Sequence, residues 1–220
     1  MNIFDIIGPV MVGPSSSHTA GACKIGYVCR KLIAQRIVKA EIFLHGSFLA
    51  TGKGHGTNLA LVAGLLGMKP EDKRIPYSFQ LADEVGMDYQ FGKIDLKDVH
   101  PNSVLLKLTG EDGRYLEVVG ESVGGSLINI ASINGRAANF SGDYPTLIIE
   151  NRDLPGLVAQ VTSELAKRTI NIATMKLNRS TRGEDAVMII ECDHEVWEAA
   201  IRWLEDLDGV ISVTYYSLED

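Results

Sequence analysis

The sequence predicts an α+β fold in two parts, the second of which is smaller and has the element order βαββαβ. Three observations predict it. Apolar residues recur at helical spacing in some segments and alternate with polar residues in others. Asn134-Gly135 separates two alternating segments, as in a tight hairpin. The segment 141–145 has the composition of a linker, so we expect domains at 1–143 and 146–220.

The first part combines helices with an antiparallel sheet. We expect helices over 20–35, 58–66 and 78–85, and strands over 38–44, 104–108, 115–119, 127–133 and 136–140. Inside the first helix, Gly21 and Gly26 each cost about 1 kcal/mol relative to alanine. Their presence predicts that another element packs very close to this helix.

The second part has a regular order of elements. We expect strands over 146–150, 171–179, 186–192 and 210–218, and helices over 156–168 and 196–207. This βαββαβ order is the ferredoxin-like arrangement. Such a sheet is covered by its two helices on one face and commonly pairs with a second copy, so we expect oligomerisation.

Composition and charge exclude several classes of protein. The chain has 220 residues, 45% of them hydrophobic, which suits a compact soluble protein. Residues 1–144 carry 14 basic and 14 acidic side chains, and 145–220 carry 7 and 14, so nucleic acid is not expected as a partner. No apolar run approaches the roughly 20 residues that cross a bilayer, and no secretory signal pattern opens the sequence. We therefore expect no membrane association and a cytoplasmic location.

The cysteines are Cys23, Cys29 and Cys192. Three thiols are poor material for disulfides and too few for a four-cysteine iron–sulfur cluster. We interpret them as buried apolar side chains and expect no metal ligand in this chain. Any cluster would need ligands from another polypeptide.

The first candidate site is the motif Gly13-Pro14-Ser15-Ser16-Ser17-His18-Thr19 at the start of the first helix. Hydroxyls, free N–H groups and the helix dipole at such a start favour an anion such as a carboxylate. His18 adds a group able to transfer a proton. The alternative is that Ser17 or Thr19 merely caps the helix and that His18 is solvated.

The second candidate is Gly46-Ser47 followed by Gly52-Lys53-Gly54-His55-Gly56-Thr57-Asn58. Glycines on both sides of His55 allow a ligand to approach the backbone closely. Thr57 or Asn58 is expected to cap the following helix. The spacing does not match a nucleotide-binding P-loop, and the alternative is a flexible loop with a lone histidine.

The third candidate is the glycine turn Ser122-Val123-Gly124-Gly125-Ser126, which a bulge or tight corner would also explain. The remaining histidines, His45, His100 and His194, have no comparable surroundings. We interpret these three as structural or surface residues.

Together the three motifs resemble the N-terminal domain of iron–sulfur L-serine dehydratases. The second part, with Asn151-Arg152-Asp153-Leu154-Pro155-Gly156 at its strand–helix turn, resembles an ACT domain. The two resemblances cover nearly the whole chain and match the two-subunit bacterial type, as a β subunit. In that type a separate α subunit carries the cysteines that bind a [4Fe–4S] cluster.

The resemblance implies an L-serine ammonia-lyase activity that does not use pyridoxal phosphate. This activity feeds serine carbon into pyruvate metabolism and gluconeogenesis. His55 is then the expected base for the α-proton and His18 the second catalytic residue. The residues expected to bind substrate are Ser15, Ser16, Ser17, Thr19, Gly54, Gly56, Thr57, Asn58, Ser122, Gly124 and Gly125.

The resemblance of the second part implies an allosteric site at an interface between two such domains. Asn151, Asp153 and Gly156, with the backbone N–H groups of Leu157 and Val158, would hold an amino acid. A monovalent cation bound by carbonyl groups, or a plain helix start, are the alternatives. Homodimerisation through the ACT or the N-terminal domain is expected.

Two other functions compete with a lyase subunit. The first part also resembles the regulatory serine-binding domain of some phosphoglycerate dehydrogenases, so the pocket could be purely regulatory. A free-standing serine hydrolase using Ser16 or Ser17 with His18 is disfavoured, because adjacent residues rarely reach triad geometry and no G-x-S-x-G motif occurs.

Overall fold

The computed structural model describes residues 10–179 and 184–217. The chain divides between Gly135 and Arg136 into two compact units, which we describe separately. In these described residues, no helix combines the length and the apolar character needed to cross a bilayer.

The first unit begins with a π-helical turn, Ser16–Gly21, that continues directly into helix α1. Its elements are α1 (Ala22–Ile33), β1 (Ile37–Leu44), α2 (Gly46–His55), α3 (Thr57–Leu65), a 3₁₀ turn (Ile75–Tyr77), α4 (Ser78–Glu84), β2 (Asp88–Lys93), β3 (Ser103–Gly110), β4 (Tyr115–Gly124) and β5 (Leu127–Ile133). The strands lie in the order β2-β1-β3-β4-β5. Only the β1–β2 pair among these neighbours is parallel.

Helices α1 and α3 pack backbone to backbone at two glycines. A Cβ atom on Gly26 would lie 2.5 Å from the carbonyl oxygen of Leu61, and one on Gly64 would lie 2.1 Å from that of Cys23. The close packing predicted from Gly26 is therefore confirmed, and α3 is the neighbour. At the other predicted position, Gly21, a Cβ would lie 2.2 Å from Ser122 Oγ.

The structure differs from the sequence prediction at α2. The sequence prediction placed no helix in the glycine-rich segment before Gly56, but Gly46–His55 is helical and ends at Gly56, whose φ is +72°. Three glycines lower its helix propensity. Phe48 is fully buried, and this burial offsets that cost. The sequence prediction also missed strand β2.

The second unit begins with β6 (Arg136–Phe140) and continues with β7 (Thr146–Arg152), α5 (Leu157–Lys167), β8 (Ile172–Arg179), β9 (Asp185–Cys192), α6 (Glu198–Glu205) and β10 (Val210–Tyr216). Its four-stranded sheet has the order β10-β7-β9-β8 and is antiparallel throughout. The predicted βαββαβ arrangement is confirmed. The last two residues of the predicted strand 210–218 are Ser217, which follows β10, and Leu218, which lies outside the described residues.

The core of the second unit lies between this sheet and its two helices. The buried residues are Leu147, Ile149, Leu157, Val161, Leu165, Ile170, Met188, Ile190, Cys192, Val196, Ala200 and Leu204. Strand β6 belongs with this unit because Asn178 Nδ2 donates to the Ala137 carbonyl at 3.1 Å and Lys176 Nζ donates to that of Asn139. The division predicted at 143/146 remains a proposal.

We predict that Gly64→Ala lowers the free energy of unfolding by about 1–3 kcal/mol, because the new methyl group overlaps the backbone of α1. The matched control is Gly54→Ala, also a helical glycine, where no atom lies within 4 Å of the added Cβ. That change should be neutral or stabilising by up to about 1 kcal/mol. Urea unfolding measures both, and a Gly64→Ala protein as stable as the wild type would contradict the packing argument.

Candidate functional site

The first motif forms the π-helical turn that precedes α1. Ser15 is its N-cap, and the Ser15 Oγ accepts a hydrogen bond from the His18 N–H at 3.1 Å. The Ser15 carbonyl accepts from the N–H groups of Thr19 and Ala20, at 2.9 and 3.2 Å. Turns of this kind are frequent at functional sites. The helix is capped by Ser15, and not by Ser17 or Thr19.

The third motif holds this turn in place. Ser122 Oγ, at the end of β4, donates to the Ser17 carbonyl at 2.9 Å, and Ser126 Oγ donates to the Ser16 carbonyl at 3.2 Å. Both serines are buried. The glycine turn between them therefore lies beside the first motif, and its serines bind main chain.

Helix α2 brings the second motif to the same place. His18 Nε2 lies 3.0 Å from Ser47 Oγ, and the centroids of the His18 and His55 rings are 5.2 Å apart. Thr19 Oγ1 donates to the His55 carbonyl at 2.8 Å, and the Phe48 ring meets the His18 ring edge-on at 5.4 Å. Two imidazoles that are 37 positions apart in the sequence thus form one pair.

The electrostatics of this pair favour a neutral imidazole. Partial burial is the main cause that lowers the pKa of His18 below its usual value, and the neighbouring His55 lowers it further. A hydrogen bond with the Ser47 backbone acts in the opposite direction and raises this pKa. Since a positive charge on His55 repels an imidazolium at His18, the surroundings of His18 favour its neutral form.

Space for a ligand surrounds the exposed His55 side chain. A Cβ atom added at Gly54, Gly56, Gly124 or Gly125 would meet no atom within 4 Å. At the start of α3, Thr57 Oγ1 and Asn58 Oδ1 are buried and have no hydrogen-bond partner among the described residues. The predicted cap is absent, because the N-cap of α3 is Gly56.

The predicted site residues make different kinds of contact in the structure. The hydroxyls of Thr19 and Ser122 are buried and donate to main-chain carbonyls, so they hold the site together. Ser47 and Phe48 contact His18 but were not among the predicted site residues. Gly46-Ser47 was part of the second motif, yet only the helical path of α2 reveals that Ser47 meets His18.

The cysteines do not fit an iron–sulfur cluster. Burial raises the pKa of Cys23 to about 12 and that of Cys192 to about 11, and it also raises the pKa of the fully buried Cys29. Cluster ligands are thiolates, which these surroundings disfavour. Within the described residues, no group of three or more histidine, cysteine, aspartate or glutamate side chains could hold a metal ion.

The second unit has one unusual polar group, at the end of β7. Asn151 is only 3% exposed, and its Nδ2 donates to the Arg152 carbonyl at 2.7 Å. Its Oδ1 is buried without a hydrogen-bond partner in the described part of the chain. An unpaired acceptor is suited to an ammonium group or to a cation.

The turn after Asn151 leads into α5. Gly156 (φ +90°) is the N-cap of α5 and supplies no side-chain hydrogen bond, and the Leu157 N–H donates to the Leu154 carbonyl at 3.5 Å. Leu157 is buried, Val158 is exposed, and Asp153 forms a 3.0 Å ion pair with Arg179. Asn151 thus lies at the end of β7, shortly before the start of α5, whereas the Asp153 carboxylate is paired with an arginine.

Two known protein families match this chain, one in each unit. Residues 2–90 match the family "Serine dehydratase beta chain", and residues 145–209 match the family "ACT domain". The probable L-serine dehydratase beta chain of Bacillus subtilis is 40% identical over 213 residues, which cover 97% of this chain and 96% of that protein. The L-serine dehydratase beta chain of Peptoniphilus asaccharolyticus is 41% identical over 197 residues, or 89% of each chain.

A more distant relative has a different name. The D-3-phosphoglycerate dehydrogenase of Methanocaldococcus jannaschii is 28% identical over 114 residues, covering 51% of this chain and 22% of that protein. The similarity to the two beta chains extends over almost the full length at higher identity. This chain belongs to the family of L-serine dehydratase beta chains, with an ACT domain as its second part.

Proposed function

We propose that this chain is the β subunit of an L-serine ammonia-lyase and completes its active site. L-Serine loses its α-proton and its β-hydroxyl, as water, to give 2-aminoacrylate. This enamine tautomerises to the imine of pyruvate, and hydrolysis of the imine releases pyruvate and ammonia. The observation that supports the proposal is the contact between His18 and His55 beside hydroxyl groups and open space.

The two histidines divide the proton transfers between them. The exposed His55 takes the α-proton, and His18, held by Ser47, orients the substrate or assists departure of the hydroxyl. The buried oxygens of Thr57 and Asn58, which have no hydrogen-bond partner among the described residues, support a polar ligand at the start of α3. Ser15, Ser16 and Ser17 contribute the turn at the start of α1, which favours the substrate carboxylate.

The proposed enzyme needs a separate α subunit. Its [4Fe–4S] cluster is bound by cysteines of that subunit, which agrees with the unsuitable cysteines of this chain. The three free thiols suit a reducing compartment, and we place the enzyme in the cytoplasm. No pyridoxal phosphate is required.

The second unit senses a small ligand in this proposal. The orphaned Asn151 oxygen and the start of α5 would bind an amino acid, or a monovalent cation with nearby carbonyl groups. The ligand would lie between two copies of the chain that pair through their ACT domains. Pairing through the N-terminal domains is the other arrangement.

We predict that His55→Ala and His18→Ala each lower the turnover of the reconstituted α–β complex at saturating L-serine by roughly 10²–10⁴-fold, as expected for loss of a general base or acid. The matched control is His194→Ala, an exposed histidine in the second unit, which should keep wild-type turnover. If only the serine concentration dependence changes, the pocket is a regulatory serine site and the catalytic proposal fails.

We also predict that His55→Asn raises the pKa of His18, because this substitution removes a positive neighbour that lowers it. Titration of the His18 imidazole by NMR in the full chain measures the change. The folded-state pKa of His18 is depressed, so this histidine makes folding less favourable as the pH falls below about 6.5. An unchanged or lower midpoint in His55→Asn would show that the two imidazoles are not electrostatically coupled.

A further inference from the structure

Pro101 supports the start of α2 beneath the histidine pair. The Ser47 N–H donates to the Pro101 carbonyl at 2.7 Å. The backbones approach so closely that a Cβ on Gly46, which has φ +50°, would lie 2.5 Å from the same oxygen. Because Ser47 Oγ lies 3.0 Å from His18 Nε2, the position of Pro101 determines where the partner of His18 lies.

The next residue, Asn102, forms hydrogen bonds with Ser122, which also holds the site together. Its carbonyl accepts from the Ser122 N–H at 2.9 Å, and its Nδ2 donates to the Ser122 carbonyl at 3.4 Å. Ser122 Oγ in turn holds the Ser17 carbonyl. Residues 100–102, which we name the bridging segment, therefore connect α2 with β4, the two elements that hold the hydroxyl-rich turn.

Glu121 anchors the bridging segment. Glu121 Oε1 accepts from the His100 N–H at 3.1 Å, and Oε2 accepts from Asn129 Nδ2 at 2.9 Å, so both carboxylate oxygens are engaged. Hydrogen bonds to a carboxylate are stronger than neutral ones. The His100 side chain closes the segment on itself, because its Nδ1 accepts from the Asn102 N–H at 3.1 Å.

We propose that Glu121 and His100 are positioning residues for the histidine pair: by fixing the bridging segment they set Ser47 relative to Ser122, and thereby orient His18. The catalytic consequence of this inference rests on the proposed lyase function. Neither residue contacts His18 or His55 through any described hydrogen bond or ring contact, so both act through Ser47. His100, interpreted from the sequence as structural or surface, is thus assigned a role.

The first test is Glu121→Ala in the α–β complex. We expect kcat to fall roughly 10-fold to 100-fold, as for a displacement of catalytic groups by about 1 Å, with a change in KM of less than about threefold. Glu121→Gln keeps one accepting oxygen and should show a smaller loss. The matched control is Glu117→Ala on the same strand, whose carboxylate contacts Lys107 and Tyr115 and which should keep wild-type kcat.

The second test separates positioning from proton transfer at His100. In His100→Asn the side-chain oxygen can accept from the N–H two residues on, as in an Asx turn, so kcat should stay within about threefold of wild type. His100→Leu has no acceptor and should lose roughly 10-fold or more in kcat. Equal losses in the two variants would contradict a positioning role.

The third test does not depend on activity. We expect NMR titration of the full chain to show a lower His18 pKa in Glu121→Ala, since release of the bridging segment displaces the Ser47 backbone, whose hydrogen bond raises this pKa. Glu117→Ala should leave the His18 pKa unchanged. His55 is the titratable side chain that contacts His18 in the described structure, and every variant retains it.

The outcomes distinguish the two proposals. If Glu121→Ala changes neither the His18 titration nor kcat, the positioning role of Glu121 is wrong and the lyase proposal stands. If His18→Ala and His55→Ala keep full turnover while Glu121→Ala still shifts the His18 titration, the lyase mechanism fails and the structural coupling stands.

Discussion

The site depends on the contact between α1 and α3. Because Gly26 and Gly64 have no side chains, the two helices approach until backbone meets backbone, and a methyl group at either position would overlap main-chain atoms. The turn with Ser15–Thr19 precedes α1, and Gly56, Thr57 and Asn58 lie at the start of α3. The same contact that closes the core thus brings together motifs that are far apart in the sequence.

Around these helix starts, the groups that hold the site together differ from the groups that we propose react with the substrate. The hydroxyls of Ser15, Thr19, Ser122 and Ser126 bind main-chain groups, which fixes the turn and the end of α2. The imidazoles of His18 and His55 remain beside open space. A pair of groups that transfers protons needs rigid surroundings, because small displacements of catalytic groups lower the reaction rate by large factors.

The chemistry of the cysteines agrees with the proposed need for a second polypeptide. Its thiols are buried, and their raised pKa values keep them protonated at neutral pH. In the second unit, the buried unpaired oxygen of Asn151 is a cost to folding that a bound ammonium group or cation would relieve. The first feature agrees with the proposed α subunit, and the second agrees with the proposed ligand of the second unit.

The sequence by itself determined most secondary elements, the βαββαβ order and the two histidine motifs, because hydrophobic periodicity and turn chemistry are local. It also indicated from Gly26 that a second element packs closely. Only the tertiary structure decided that Gly46–His55 is a helix, since burial of Phe48 outweighs the poor propensity of its glycines. It likewise decided that Ser47 meets His18 and that Glu121 anchors residues 100–102, because contacts between distant residues depend on how the elements pack.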